Sequence, residues 1–164
     1  MANIIVGERI GRHGHLGVGC SASIFDPLYE KTLMIRRADN GKWAVPGGYM
    51  KAGENFSEAC AREVLEETGL HVIVNRLIGV YTSPNLLLEY KDGNKWQLVV
   101  LHFKAEAVSG ELTTSDESTK FGYFSMNELH DLDMNILDKL RVLDGFSRNQ
   151  ETFVRDDFAN AELI

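Results

Sequence analysis

The stretch GGYMKAGENFSEACAREVLEETGL, residues 47 to 70, decides the reading of this chain. Asn55 can cap a helix, with Glu58 three residues on to answer it, and Gly69 stands where such a helix would stop. Between them, Phe56 to Thr68 contains neither Pro nor Gly and is made mostly of acceptable helix formers. At ~100° per residue, Cys60, Ala61, Val64 and Leu65 share an arc that can face a core, while Glu63, Glu66 and Glu67 share a different arc. Three carboxylates therefore project together from the last turns of the helix.

A merely solvated face would place Lys or Arg four residues from each acid, because like charges at that spacing repel. Here Glu63 faces Glu67, Glu67 faces His71, and Arg62 is the one counter-charge near Glu66. Acids at the carboxyl end of a helix also oppose its dipole. A hard divalent cation reverses both penalties, since Mg²⁺ takes oxygen ligands and keeps some of its waters for exchange. Immediately upstream, Pro46-Gly47-Gly48 lets the backbone approach a ligand, and a free carbonyl there would be a further oxygen donor.

Working outward, 164 residues suit one domain spanning 1–164, with a real core and no linker, repeat or low-complexity tract to divide it. Twenty-four acidic against 17 basic residues give a formal charge of -7, which argues against a broad basic surface for polymeric nucleic acid. A small anionic ligand remains compatible if a metal supplies the positive charge. Cys20 and Cys60 are too few for a disulfide framework and read as small buried thiols. The amino terminus lacks a secretory core and no run approaches the ~18 apolar residues of a membrane span, so no membrane and a cytoplasmic location are expected.

Leu16–Phe25 alternates like a strand, Lys31–Arg37 reads as a second, and the two together suggest a hairpin. HVIVN, LIGVYTS and Trp96–Ala105 follow as β-rich runs, with Lys91-Asp92-Gly93-Asn94 as a hairpin turn between Tyr90 and Trp96. KFGYFS is a further strand. Ile136, Leu137, Leu140 and Leu143 recur at helical spacing, with Gly145 placed to close that helix. The tail from residue 148 to 164 carries Phe153, Phe158, Leu163 and Ile164, and either docks on the body, docks on a second subunit or frays. Gly17, Gly19 and Ala22 match a G-x-G-x-x-A string, but strand rather than helix follows it, so no phosphate cradle is expected. His13 and His15 lack a third convergent ligand and read as solvated.

The box itself resembles the complete signature of the Nudix hydrolases, G-x5-E-x7-R-E-U-x-E-E-x-G-U with U apolar. Gly48, Glu54, Arg62-Glu63-Val64, Glu66-Glu67 and Gly69-Leu70 occupy every prescribed position. Arg36-Arg37 and Trp43 ahead of the box, and Phe124 to Leu129 near the end, resemble its usual surroundings. The resemblance implies an α+β fold, an α/β/α sandwich with a mixed β-sheet packed between helices. It implies hydrolysis of a diphosphate bond in a small nucleotide-type substrate with Mg²⁺ or Mn²⁺, and many relatives pair, which leaves a homodimer open beside a monomer.

Carried over by position, Glu63 and Glu67 would be the principal metal ligands, with Glu66 in support and the Gly48 carbonyl beside them. Glu63, Glu66 and Arg62 would serve the catalytic step, Glu66 being the first choice of base. Glu54 would brace the box by pairing with Arg62, and Gly69 would end its helix. Glu117 resembles the acid before the final strand that often completes the metal site, with Asp116, Glu111 and Glu106 behind it. Arg36, Arg37, Trp43 and Tyr81, with Tyr90 and Phe103, are the candidates for holding phosphate or stacking a base. The segment from Ile78 to Pro84 is reminiscent of ADP-ribose pyrophosphatase-like members.

Two other classes are weighed against this. A ligand-sensing module that kept the fold without turnover would have lost box acids, and none is lost. Isomerase chemistry on an isoprenoid diphosphate would call for a catalytic cysteine and an extra acid that the chain does not obviously supply.

Overall fold

The computed structural model describes residues 3–147 and 150–156. Its centre is a parallel pair of strands far apart in the chain: β2 (His15–Ile24) runs beside β8 (Lys95–Gly110), with Cys20 opposite Leu101 and Ser21 opposite His102. From Cys20 to Ile24 every residue of β2 is buried. A strand buried on both faces has to sit inside a sheet, which is why β2 takes this position.

The other neighbours complete a mixed sheet. β5 (Gly47–Tyr49) pairs antiparallel with β2, setting Gly48 opposite Cys20. β6 (Leu70–Thr82), β7 (Leu86–Glu89) and β1 (Asn3–Val6) extend the opposite side, β6 and β7 both pairing with β8. The runs HVIVN and LIGVYTS belong to one strand, broken in appearance by register shifts at Val74/Arg76 and Leu77/Gly79. Tyr90 N–H donates to Asn94 O at 2.9 Å, closing the expected hairpin turn.

The hairpin expected from Leu16–Phe25 and Lys31–Arg37 is not formed. β3 (Lys31–Arg37) leaves β2 after a single bridge between Phe25 and Thr32 and joins a second sheet with β4 (Trp43–Ala44) and β9 (Ser118–Ser125). The turn at Asp26 is real, its carboxylate accepting the N–H groups of Glu30 and Lys31 at 2.8 and 3.0 Å. It redirects the chain between layers instead of folding it back.

Helices cover both faces. α1 (Phe56–Thr68) starts on the expected capping box, with Asn55 accepting from Glu58 N–H, and ends at Gly69 in the left-handed region at φ 76°. A helix of this length is marginal alone. It is held by packing: Ala59, Cys60 and Val64 meet Cys20, Ala22, Ile24 and Phe103 in a core closed to water. The expected apolar arc is rotated, however. Leu65 is 38% exposed, whereas Glu63 and Glu67 are 8% and 3% exposed. The buried stripe runs through Ala59, Glu63 and Glu67 beside Cys60, Val64 and Thr68.

On the other face lies α2 (Ile136–Phe146), whose Leu140 and Val142 enter two further apolar clusters. Gly145 does not close it. The helix continues to Phe146 with Ser147 as its cap, and a Cβ on Gly145 would run into Ser23 of β2. That glycine is needed for close approach of helix to sheet. Of the tail, β10 (Phe153–Arg155) docks on the body, parallel to β6. Phe158, Leu163 and Ile164 lie outside the described residues. No described helix is long and apolar enough to cross a membrane.

Candidate active site

Arg62 is the hub of the box. Its Nε and Nη2 meet the two Glu54 oxygens at 2.5 and 2.9 Å, and Nη2 also donates to the Tyr49 carbonyl at 2.9 Å. Nη1 reaches Glu63 at 2.5 Å and Glu66 at 3.1 Å. One guanidinium thus ties the loop, β5 and α1 together, and it neutralises more of the acidic face than spacing alone suggested. The Arg62 contact, with the Lys51 N–H behind it, holds the Glu54 carboxyl down at about 2.

Glu67 has a different setting. Its Oε2 accepts the Gly47 N–H at 2.7 Å, and no described cation bonds it directly. Burial pushes its carboxyl up to about 8, with the charges of Glu63 and Glu117 adding to the rise and Gly47 and Arg37 opposing it. Burial raises Glu63 as well, against the pull of Arg62. Glu66, with 47% of its side chain exposed, stands outermost and also faces Lys51 at 3.9 Å.

Gly48 is shaped by its neighbour: a Cβ there would overlap the Glu63 carboxylate, its carbon only 2.5 Å away. The Gly48 carbonyl lies in the β2–β5 ladder opposite Cys20, and a carbonyl oxygen retains a second lone pair. The donor set of carboxylates and a carbonyl suits a hard dication. Among the described residues no three acidic, His or Cys side chains already converge on one point. The reason is visible: Glu63 is turned to Arg62 and Glu67 to Gly47. Glu67, a buried carboxylate satisfied by one backbone N–H, is the group that most lacks a cation.

These groups open into a cavity of about 690 Å³. Glu117 and Arg37 reach it, as do Tyr49, Tyr90, Lys51 and, from α2, Arg141. Glu117 is placed by Ser118, whose buried hydroxyl donates to the Glu67 carbonyl at 2.6 Å and locks β9 to the end of α1. Asp116, Glu111 and Glu106 are outside the lining.

The other substrate candidates are not brought there. Arg36 turns to the Gly41 carbonyl at 2.8 Å and stitches its own turn. Trp43 packs edge-on against Phe124, 4.8 Å between ring centroids, in the core beneath α2. Tyr81 is 3% exposed and gives its hydroxyl to Asp144 at 2.9 Å, and Phe103 is core. Arg37 lines the cavity while gripping Asp39 at 2.9 and 3.2 Å. Sequence reasoning missed the α2 groups Asn135, Asp138 and Arg141, because their approach depends on how α2 crosses the sheet.

Comparison with known proteins bears on this arrangement. The model of the NUDIX domain matches residues 15–145, which includes the box, both helices and the central strands. The chain belongs to the NUDIX family. An ADP-ribose pyrophosphatase of Methanocaldococcus jannaschii is 36% identical over 103 residues, 61% of this chain and 57% of that protein. A MutT-like protein of Streptomyces ambofaciens is 37% identical over 99 residues, 60% of this chain and 58% of that protein. The match therefore spans under two thirds of either relative's length. Among solved structures, a MutT protein from Bacillus halodurans superposes with a TM-score of 0.64 at 27% identity, covering 84% of this NUDIX chain and 89% of the other. The α+β NUDIX fold is thus shown, with its mixed sheet between two helices.

Proposed function

We propose that this NUDIX protein hydrolyses the diphosphate bond of a small nucleotide-type substrate, a nucleoside diphosphate sugar of the ADP-ribose kind or a nucleoside triphosphate. The reaction depends on Mg²⁺ or Mn²⁺ held by Glu63, Glu67 and the Gly48 carbonyl, with Glu66 and Glu117 in support. One observation carries the reading: a buried carboxylate without a bonded cation, Glu67, beside Glu63 at the wall of a cavity large enough for a nucleotide. The relative named as an ADP-ribose pyrophosphatase points the same way.

When bound, the cation offsets charge building on the phosphate oxygens and lowers the pKa of attacking water. The rest falls to the chain. Arg37 and Lys51 line the cavity and hold phosphate oxygens. Glu66, the most exposed of the three box acids, takes the proton from the attacking water. Arg62 keeps the carboxylates in position and Glu54 keeps Arg62 in position, so both act through geometry.

The test is turnover. The protein is incubated with Mg²⁺ or Mn²⁺ and a panel of nucleoside triphosphates, dinucleoside polyphosphates, ADP-ribose and other nucleotide sugars, and phosphate or pyrophosphate release is followed. Metal-dependent cleavage that Glu67→Gln abolishes is expected. If no member of the panel is cleaved, the hydrolase reading fails, and ligand binding without turnover would favour a sensing module.

A further inference from the structure

The face of β2 turned away from α1 carries Ser21 and Ser23, and between them lies His102 of β8, fully buried. Its Nδ1 is 2.8 Å from Ser21 Oγ and its Nε2 is 2.9 Å from Ser23 Oγ. Burial and the nearby Arg141 charge hold the imidazole neutral, so one ring nitrogen donates and the other accepts. Ser21 Oγ in turn accepts a hydrogen bond from Arg141 Nη1 at 3.2 Å. The catalytic groups described above use none of this chain, yet it ends at the wall of their cavity.

Arg141 is held on three sides. Nε donates to the Leu137 carbonyl at 3.1 Å and Nη2 to Asp138 Oδ1 at 2.6 Å, while Nη1 is tied to Ser21. Of the five N–H donors of a guanidinium, these three bonds leave one on each Nη uncommitted to the described residues. The side chain is 12% exposed and lines the cavity with Leu98, Val100 and Leu137. Its charge is already balanced by Asp138, and Asp144 on the same helix is balanced by Arg155. A neutral ion pair beside apolar side chains does not attract a second anion. It suits a flat, largely apolar group that presents a neutral acceptor.

Resting on the hydrolase reading of this site, we propose that Arg141 recognises the nucleobase of the substrate through a ring carbonyl or ring nitrogen, and that buried His102 positions it through Ser21. The phosphates then lie with Arg37 and Lys51, and the base lies against α2. His102 touches no substrate.

The full-length chain is titrated calorimetrically with AMP, GMP, CMP and UMP, and separately with inorganic pyrophosphate, using wild type, Arg141→Met, Arg141→Lys and Ser21→Ala. The expected result is a preference among the four nucleotides and a loss of about tenfold or more for the preferred one in Arg141→Met, the worth of a charge-assisted bond. Arg141→Lys keeps the charge but loses the fork, so it recovers affinity less than preference demands. Ser21→Ala, which removes the acceptor of Arg141 Nη1 together with the link to the imidazole, weakens the preferred nucleotide, with a modest fall in melting temperature because the buried ring loses a partner. Pyrophosphate binding is expected to be the same in all four proteins.

Equal weakening of pyrophosphate would make Arg141 a phosphate clamp and overturn the proposal. Absence of nucleotide binding by wild type, or an unchanged preference in Arg141→Met, would overturn it too, and an indifferent Ser21→Ala would remove His102 from it. Because binding is read without turnover, Arg141-dependent nucleotide binding in a protein that cleaves nothing would sink the hydrolase reading and leave this one standing.

Discussion

Replacing Glu67 by Gln is expected to make the metal-free protein more stable at alkaline pH while removing its activity. The carboxyl is raised from 4.5 to about 8, chiefly by burial. A folded-state pKa above the unfolded one means that the fold holds a proton the unfolded chain releases. The resulting stability is fully present below pH 4.5 and is lost as pH rises from there through about 8. At ~1.36 kcal/mol per unit, carrying the ionised group in the cation-free fold costs up to roughly 5 kcal/mol above that range.

Glutamine removes this cost. Its amide oxygen can still accept the Gly47 N–H that Glu67 accepts at 2.7 Å, but its buried NH₂ lacks a partner, which costs about 1–3 kcal/mol. A net gain of roughly 3 kcal/mol corresponds to a rise of about 6–12 °C in melting temperature for a chain of this size. Calorimetric scans in chelator at an alkaline pH, about 8.5, and at an acid one, about 5, read it directly. The variant should melt well above wild type at the alkaline pH and a few degrees below it at the acid one, where only the cost of the unpartnered NH₂ remains, and Mg²⁺ should raise wild type more than the variant. A variant that melts at or below wild type at the alkaline pH would refute the claim that an uncompensated carboxylate sits in this fold.

Gly48→Ala should lower turnover by about 10²-fold with little loss of stability, since the new Cβ displaces only the mobile end of Glu63; kinetics beside a thermal melt check both halves. Cys20 and Cys60, whose thiols burial pushes up to about 11 and 12, should resist a thiol reagent in the native protein and react as two on unfolding. His102, whose pKa lies well below 6.5, leaves the fold short of a proton that the unfolded chain binds, so its contribution is present above pH 6.5 and is lost on acidification. Urea titrations of wild type and His102→Phe between pH 7 and 4 should show a shallower acid decline in the variant.

The box was legible because it is local. Asn55, Glu58 and Gly69 fix a helix from within 15 residues of chain, and the identity of Glu63, Glu66 and Glu67 follows from position along it. What was not legible depends on the second side of each element. The sequence shows that β2 and β3 are strands joined by a turn, but burial of both faces of β2 assigns its partner, and that partner is β8, some 80 residues away. Tyr81 is ambiguous for a related reason: an aromatic with a polar tip suits a binding site or a core equally, and here Asp144 of α2 receives the hydroxyl.

The rotated face of α1 carries the more general argument. Hydrophobic periodicity assumes that apolar residues mark the buried arc, yet α1 exposes Leu65 and buries Glu63 and Glu67. Cys60 and Val64 still dock the helix, so the inversion does not unseat it. It turns the carboxylates away from bulk water and toward the Gly47–Tyr49 strand, with Arg62 and the Gly47 N–H as partial substitutes for solvent. Local rules tend to fail where function has imposed its own demand. Here the failure falls on the two acids that fold stability would most readily have left outside.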